Sequence, residues 1–291
     1  MTSISTHSIL IAAVAGLLAG MHAAIWGMYK DGLYEGFTTD RYLRSVVLGA
    51  ACGVGIHVLL RLPLPDMGGF VVLFGLAYAT ERGIVEVWKT FLREEDQSKY
   101  TIPTRLTVRG VPVESRLVRL LAGIAYVAVI AVCLLVIGRL APASSTIGSM
   151  TRIGIVGFAV GAIIAVGGAW RDAPMEGFAP LKFLRSPLIG LAVAFVLSRF
   201  TDSYFQIAVA TIGYERAVAE TYKTFCLPSH TCGKFAGKPV LFPDVARRRR
   251  PYVPVFAAIW VLVVTAGVLA LGTTTRVSRP AVYAIPNVLT R

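Results

Sequence analysis

The chain has 291 residues, of which 55% are apolar and only 15% charged, and its mean hydropathy is +0.67. Soluble chains carry roughly 25% charged residues, so a soluble enzyme, a disordered chain and a disulfide-rich miniprotein are excluded. The apolar residues fall in long blocks, which makes this a multi-span membrane protein.

A helix needs about 20 mostly apolar residues to cross the hydrocarbon core. In chain order such stretches lie near 8–29, 45–63, 66–88, 117–139, 152–170, 187–200, 203–223 and 252–272. They predict an all-α polytopic bundle of about eight transmembrane helices, the sixth and seventh being the shortest before a charge interrupts. Met21-His22-Ala23-Ala24 resembles a signal-cleavage site, but no Lys or Arg precedes that stretch, as a signal's first region requires. A retained first helix is expected.

Basic residues set orientation. With eight spans, one side holds 22 of the 29 Lys and Arg, in the loops after spans one, three, five and seven and at the adjoining helix ends. That side is expected to be the cytoplasmic face of an inner membrane, with both termini on the other side. The net charge of +13 is then mostly topology and does not point to nucleic acid.

The chain also resembles itself. At a shift of 141 residues, Lys30-Asp31-Gly32-Leu33-Tyr34-Glu35-Gly36-Phe37 falls on Arg171-Asp172-Ala173-Pro174-Met175-Glu176-Gly177-Phe178. Arg41-Tyr42-Leu43-Arg44-Ser45 falls on Lys182-Phe183-Leu184-Arg185-Ser186, and Gly16, Gly20 and Ala24 fall on Gly157, Gly161 and Ala165. At a shift of 134, the block from Glu81-Arg82 through Glu86, Trp88 and Lys89-Thr90-Phe91 falls on Glu215-Arg216, Glu220, Tyr222 and Lys223-Thr224-Phe225. Two blocks in the same order predict a duplication, with repeat units 1–145 and 146–291 of four spans each. An even number of spans makes the repeats parallel, related by a pseudo-twofold axis along the membrane normal, and excludes inverted repeats. The small residues at four-residue spacing let helix backbones approach closely, and spans one and five are expected to pack centrally.

Two duplicated polar blocks are the candidate sites. In the loop block, with Lys30, Asp31, Glu35, Arg171, Asp172 and Glu176, a helix would put each carboxylate pair on one face, able to hold a divalent cation or act as an acid/base couple. Pro174 argues against a long helix there, and ion-paired interfacial segments are the simpler reading. In the second block, Glu81-Arg82 lies only about 15 residues into its span, roughly 22 Å along the axis, so these charges fall inside a core about 30 Å thick. Ionised groups there cost on the order of 3 kcal/mol each and must be paired or wetted. Arg82 with Glu86 and Arg216 with Glu220 are i, i+4 pairs, Lys89 and Lys223 follow one turn on, and Arg44 and Arg185 are candidate partners for Glu81 and Glu215.

Other features are weaker. His22 and His57 align with Ile163 and Ser198, so no symmetric role attaches to them. Cys226, His230 and Cys232 make a poor structural zinc set, and Cys52 and Cys133 read as small apolar residues. Arg247-Arg248-Arg249-Arg250 is an anionic-lipid signal. The chain has no phosphate-cradling Gly-rich loop followed by Lys-Ser/Thr, no His-Glu-x-x-His and no Gly-x-Ser-x-Gly, so no cofactor and no metal is predicted.

The expected function is a transporter or channel-like inner-membrane protein whose duplicated charges handle an anionic solute or lipid headgroup. The alternatives are a non-catalytic assembly subunit working with other membrane subunits, and a membrane enzyme acting on a lipid or polyprenyl phosphate. Whether the protein is an enzyme is left open by the sequence. Membrane lipids, anionic on the cytoplasmic face, are the expected partners.

Overall fold

The computed structural model describes residues 4–64, 66–139, 147–226, 235 and 237–273. Ten α-helices are described: α1 (Thr6–Lys30), α2 (Gly32–Glu35), α3 (Thr39–Leu60), α4 (Met67–Val87), α5 (Arg116–Gly138), α6 (Ile147–Glu176), α7 (Pro180–Leu197), α8 (Tyr204–Thr221), α9 (Pro243–Arg248) and α10 (Tyr252–Thr273). Several starts are written in the sequence: the side chains of Ser5, Thr38, Asp66, Ser115 and Ser203 accept backbone N–H bonds as N-caps of α1, α3, α4, α5 and α8. The sheet content is one two-residue hairpin, β1 (Thr107–Val108) paired antiparallel with β2 (Val111–Pro112).

Six helices, α1, α3, α5, α6, α7 and α10, are long and apolar enough to cross a membrane, and the protein is an all-α integral membrane protein. The two remaining long helices, α4 and α8, carry the charged blocks and are the most enclosed. Leu73, Phe74, Leu76, Ala77 and Tyr78 of α4 and Ile207, Ala208 and Ala210 of α8 are all buried. α4 crosses α8 where Gly75 meets Gly213: a Cβ on Gly213 would run into the Gly75 carbonyl. The Tyr214 hydroxyl donates to the Val71 carbonyl at 2.8 Å and fastens the crossing.

α1 is the most buried of the six apolar spans, but its small-residue stripe does not meet that of α6. The stripe on α1 is spent on α3, with Gly16 against the Gly49 carbonyl and Gly20 against the Ser45 carbonyl. On α6 it is spent on α7, with Gly157 against Gly190 and Gly161 against the Ser186 carbonyl. The reason is that close approach needs small residues on both helices, and Gly49 and Gly190 supply the facing half. Pro174 does not stop α6, which runs on to Glu176. It sits in the last turn, two residues before the helix ends, so little helix remains beyond the bond it removes.

α5 lies on the outside and buries only Arg119 and Gly123, leaving Leu121, Ile124, Val129 and Leu135 as an apolar surface suited to lipid. The turns after α1, α4, α6 and α8 gather at one end of the bundle. There Tyr34 stacks on Phe235, with centroids 4.1 Å apart and planes at 6°, and Leu33, Ile102 and Val245 complete a small second core. At the other end Ser8 Oγ lies 3.1 Å from His57 Nε2, and Phe200 packs against Gly68.

Candidate functional site

The site is built where α4 and α8 end. Each helix passes into one turn of π-helix, Trp88–Leu92 after α4 and Tyr222–Cys226 after α8. The Arg93 N–H bonds to the Trp88 carbonyl at 2.9 Å and closes the first of these. Such turns break the helical register and recur at functional sites. Sequence reasoning missed them. Their only signal is the shared aromatic-Lys-Thr-Phe run that starts each turn.

The buried charges form a chain of ion pairs between helices. Arg82 Nε is 3.3 Å from Glu81, and its Nη2 is 3.9 Å from Glu86. Arg171, from the end of α6, reaches Glu86 at 3.1 Å. On the other side Glu220, whose side chain is 1% exposed, receives Lys30 at 3.2 Å, Arg216 at 3.2 Å and Lys223 at 3.5 Å. The loop-block cations Lys30 and Arg171 thus each bridge to the carboxylate of the other charged helix. Trp26 of α1 lies between the two systems, with the Arg82 guanidinium 5.5 Å and the Arg216 guanidinium 5.6 Å from its ring centre. The Trp26 indole N–H donates to Tyr78 Oη at 2.8 Å, which fixes the ring. Cations over an indole face gain attraction that grows with desolvation. Trp26 and Tyr78 were not singled out from the sequence, because their aligned positions, Gly167 and Ile212, break the repeat pattern.

Arg44 lies over Trp88 at 5.4 Å and Arg185 over Tyr222 at 5.8 Å. Glu81 is fully buried beside Arg82 with the Arg44 charge in range, and Glu215 is held by the Ser186 side chain with Arg216, Lys223 and Arg185 in range.

Asp31 closes α1 and starts the single turn of α2, with helical backbone of its own, and the Glu35 N–H bonds its carbonyl at 2.9 Å, so the two stand one turn apart. Both line a cavity of about 130 Å³ between the ends of α1 and α4 and the start of α3. The cavity also takes Glu95 and five cations, Arg41, Arg44, Arg82, Lys89 and Arg93. Lys89 lines this cavity, and its counterpart Lys223 pairs with Glu220 at 3.5 Å. Asp172 lies in the last turns of α6, and the Glu176 side chain lies outside the described residues. Among the described residues no three His, Cys, Asp or Glu side chains gather to hold a metal ion. Cys226 is exposed, and His230 and Cys232 lie outside the described residues.

The segment after the first π turn is knitted into a cap. Arg119 donates to the Val113 and Glu114 carbonyls and pairs with Glu94 at 2.7 Å, and Arg105 pairs with Glu114 at 3.3 Å. Tyr100 donates to Glu95, and burial together with that bond pushes its hydroxyl above its ordinary range. In the arginine run, Arg247, Arg248 and Arg250 are exposed. Arg249 turns inward, donates to the Tyr29 carbonyl and lies 3.9 Å over the Tyr29 ring. The hydrogen bond from Arg247 at 2.6 Å holds Asp244 below its usual range.

No family model, no curated protein and no solved structure matches this chain.

Proposed function

We propose that the chain is a duplicated eight-span transporter or channel-like protein of the inner membrane, with both termini outside, whose charged cytoplasmic end handles an anionic solute or lipid headgroup. The observation that carries this reading is the reciprocity of the ion pairs. Lys30 and Arg171 occupy aligned positions, as do Glu220 and Glu86, and each cation crosses to the other unit's carboxylate. Equivalent contacts also recur within each unit, Gly16 with Gly49 and Gly157 with Gly190, and Arg44 with Trp88 and Arg185 with Tyr222. Together these support a pseudo-twofold axis between α4 and α8.

An anion entering this end competes with Glu86 and Glu220 for Arg82 and Arg216. Because both guanidinium groups rest on Trp26, a shift of one is felt by the other. That gives a two-state element whose balance a ligand can bias by its differential affinity for the two arrangements.

One observation favours the alternative of a membrane assembly subunit: Glu220 is enclosed by three cations, as in a lock. Buried pairs of this kind are weak evidence of stability in themselves, but breaking one is costly. Reconstitution separates the two readings. The full chain is placed in liposomes carrying fluorophore-labelled phosphatidylglycerol, and loss of inner-leaflet fluorescence to an external reductant is followed, with efflux of trapped inorganic phosphate measured in parallel. Transport predicts that either signal is faster than in empty liposomes and slower with Glu220→Gln. Rates equal to those of empty liposomes in both assays would leave the assembly reading.

A further inference from the structure

We propose that the cavity between α1, the start of α3 and the first π turn is a binding site for a phosphate group. The proposal deepens the anion-handling reading above by naming the ligand chemistry and the place. Five cations line the cavity, with three carboxylates among them. The innermost cation, Arg82, is paired with Glu81 and Glu86 behind the wall. Arg41 and Arg44 are exposed at the mouth, Lys89 is half-buried, and Arg82 is at the inner end, its side chain 12% exposed. A volume of about 130 Å³ is room for several waters or one small anion.

Geometry adds to charge. The cavity wall includes Gly36, Phe37 and Thr38, the approach to the N-terminus of α3, a helix of 22 residues. Its dipole favours an anion at that end, where Thr38 Oγ1 already accepts the Arg41 N–H and Asp40 occupies the first turn. Arg44 lies over Trp88 at 5.4 Å, and both line the cavity. Arginine forks match phosphate oxygens two at a time. The mouth lies at the end of the bundle where the basic turns gather, the level at which a lipid headgroup sits. A lipid headgroup and a free phosphate present the same chemistry to these side chains.

The test is binding to the detergent-purified full chain, read by intrinsic tryptophan fluorescence, since Trp88 lines the cavity, and by thermal unfolding. The probes are dihexanoyl phosphatidic acid, dihexanoyl phosphatidylglycerol, inorganic phosphate and, as a zwitterionic control, dihexanoyl phosphatidylcholine. Arg41→Gln and Lys89→Gln are each expected to weaken binding by about tenfold, as loss of a charge-assisted hydrogen bond does. Arg199→Gln, at the opposite end, is expected to leave it unchanged. Binding of the anionic lipids alone assigns the site to a headgroup. Binding of inorganic phosphate as well assigns it to phosphate from either source. No binding of any anionic probe, equal binding of the phosphatidylcholine control, or binding unmoved by Arg41→Gln and Lys89→Gln overturns the proposal. Binding without flux in the liposome assay would keep this site and remove the transport reading.

Discussion

Lys30 Nζ at the end of α1 lies 3.2 Å from the carboxylate of Glu220 near the end of α8, joining residues 190 apart in the chain. Arg171 and Glu86 make the matching contact at 3.1 Å. These pairs tie each loop block to the charged helix of the other half, and their energetics lead to unequal outcomes at sites that the sequence makes look equivalent.

The first concerns the two arginines. Glu81 is fully buried, and Arg82 is its ion-pair partner among the described residues. Arg82→Ala is expected to strand that carboxylate at a cost of about 3–5 kcal/mol. Arg216→Ala leaves Glu220 with Lys30 and Lys223 and the buried Glu215 with Ser186 and Lys223, so its cost is expected to be nearer 1–2 kcal/mol. Melting temperatures of the two purified variants check this. An equal fall, or a larger one for Arg216→Ala, would refute the unequal pairing.

A second outcome concerns the close helix contacts. Gly16→Val and Gly157→Val are each expected to destabilise the bundle by about 1–3 kcal/mol or more, because the added side chain meets backbone that has no rotamer to yield. Gly27→Ala and Gly55→Ala, where the added methyl meets open space, are expected to be neutral or to stabilise by about 0.5–1 kcal/mol. Thermal unfolding in one detergent ranks all four. Tolerance of valine at both position 16 and position 157 would mean that these helices do not pack as described.

The reach of the sequence is visible in the same residues. Most helix positions, including the six apolar spans among the eight expected, could be read, because hydropathy acts locally. What could not be read was which helices meet. The glycine stripe on α1 states that some backbone comes close, but only Gly49, on another helix, says which one. The π turns and the Trp26 sandwich were hidden for a different reason. They depend on register and on an aromatic residue that one half has and the other lacks.

Orientation gives a third expected outcome. In a cysteine-free background, Arg199→Cys is expected to react with a membrane-impermeant maleimide from outside intact cells, and Arg41→Cys only after permeabilisation. Both positions are exposed in the fold and lie at opposite ends of the bundle. The reverse pattern would place the basic end outside and contradict the distribution of charge.

The most direct measurement is a pair of double-mutant cycles read by thermal or denaturant unfolding, which isolate pairwise coupling from the cost of each single change. One uses Lys30→Met with Glu220→Gln, the other Arg171→Met with Glu86→Gln. The account predicts coupling of the same sign in both cycles, about 1–3 kcal/mol, with the Lys30–Glu220 cycle the larger because Glu220 is 1% exposed and Glu86 36%. Additive effects in both cycles would mean that the halves are not joined through these charges, and would contradict the reciprocal network on which the proposed function rests.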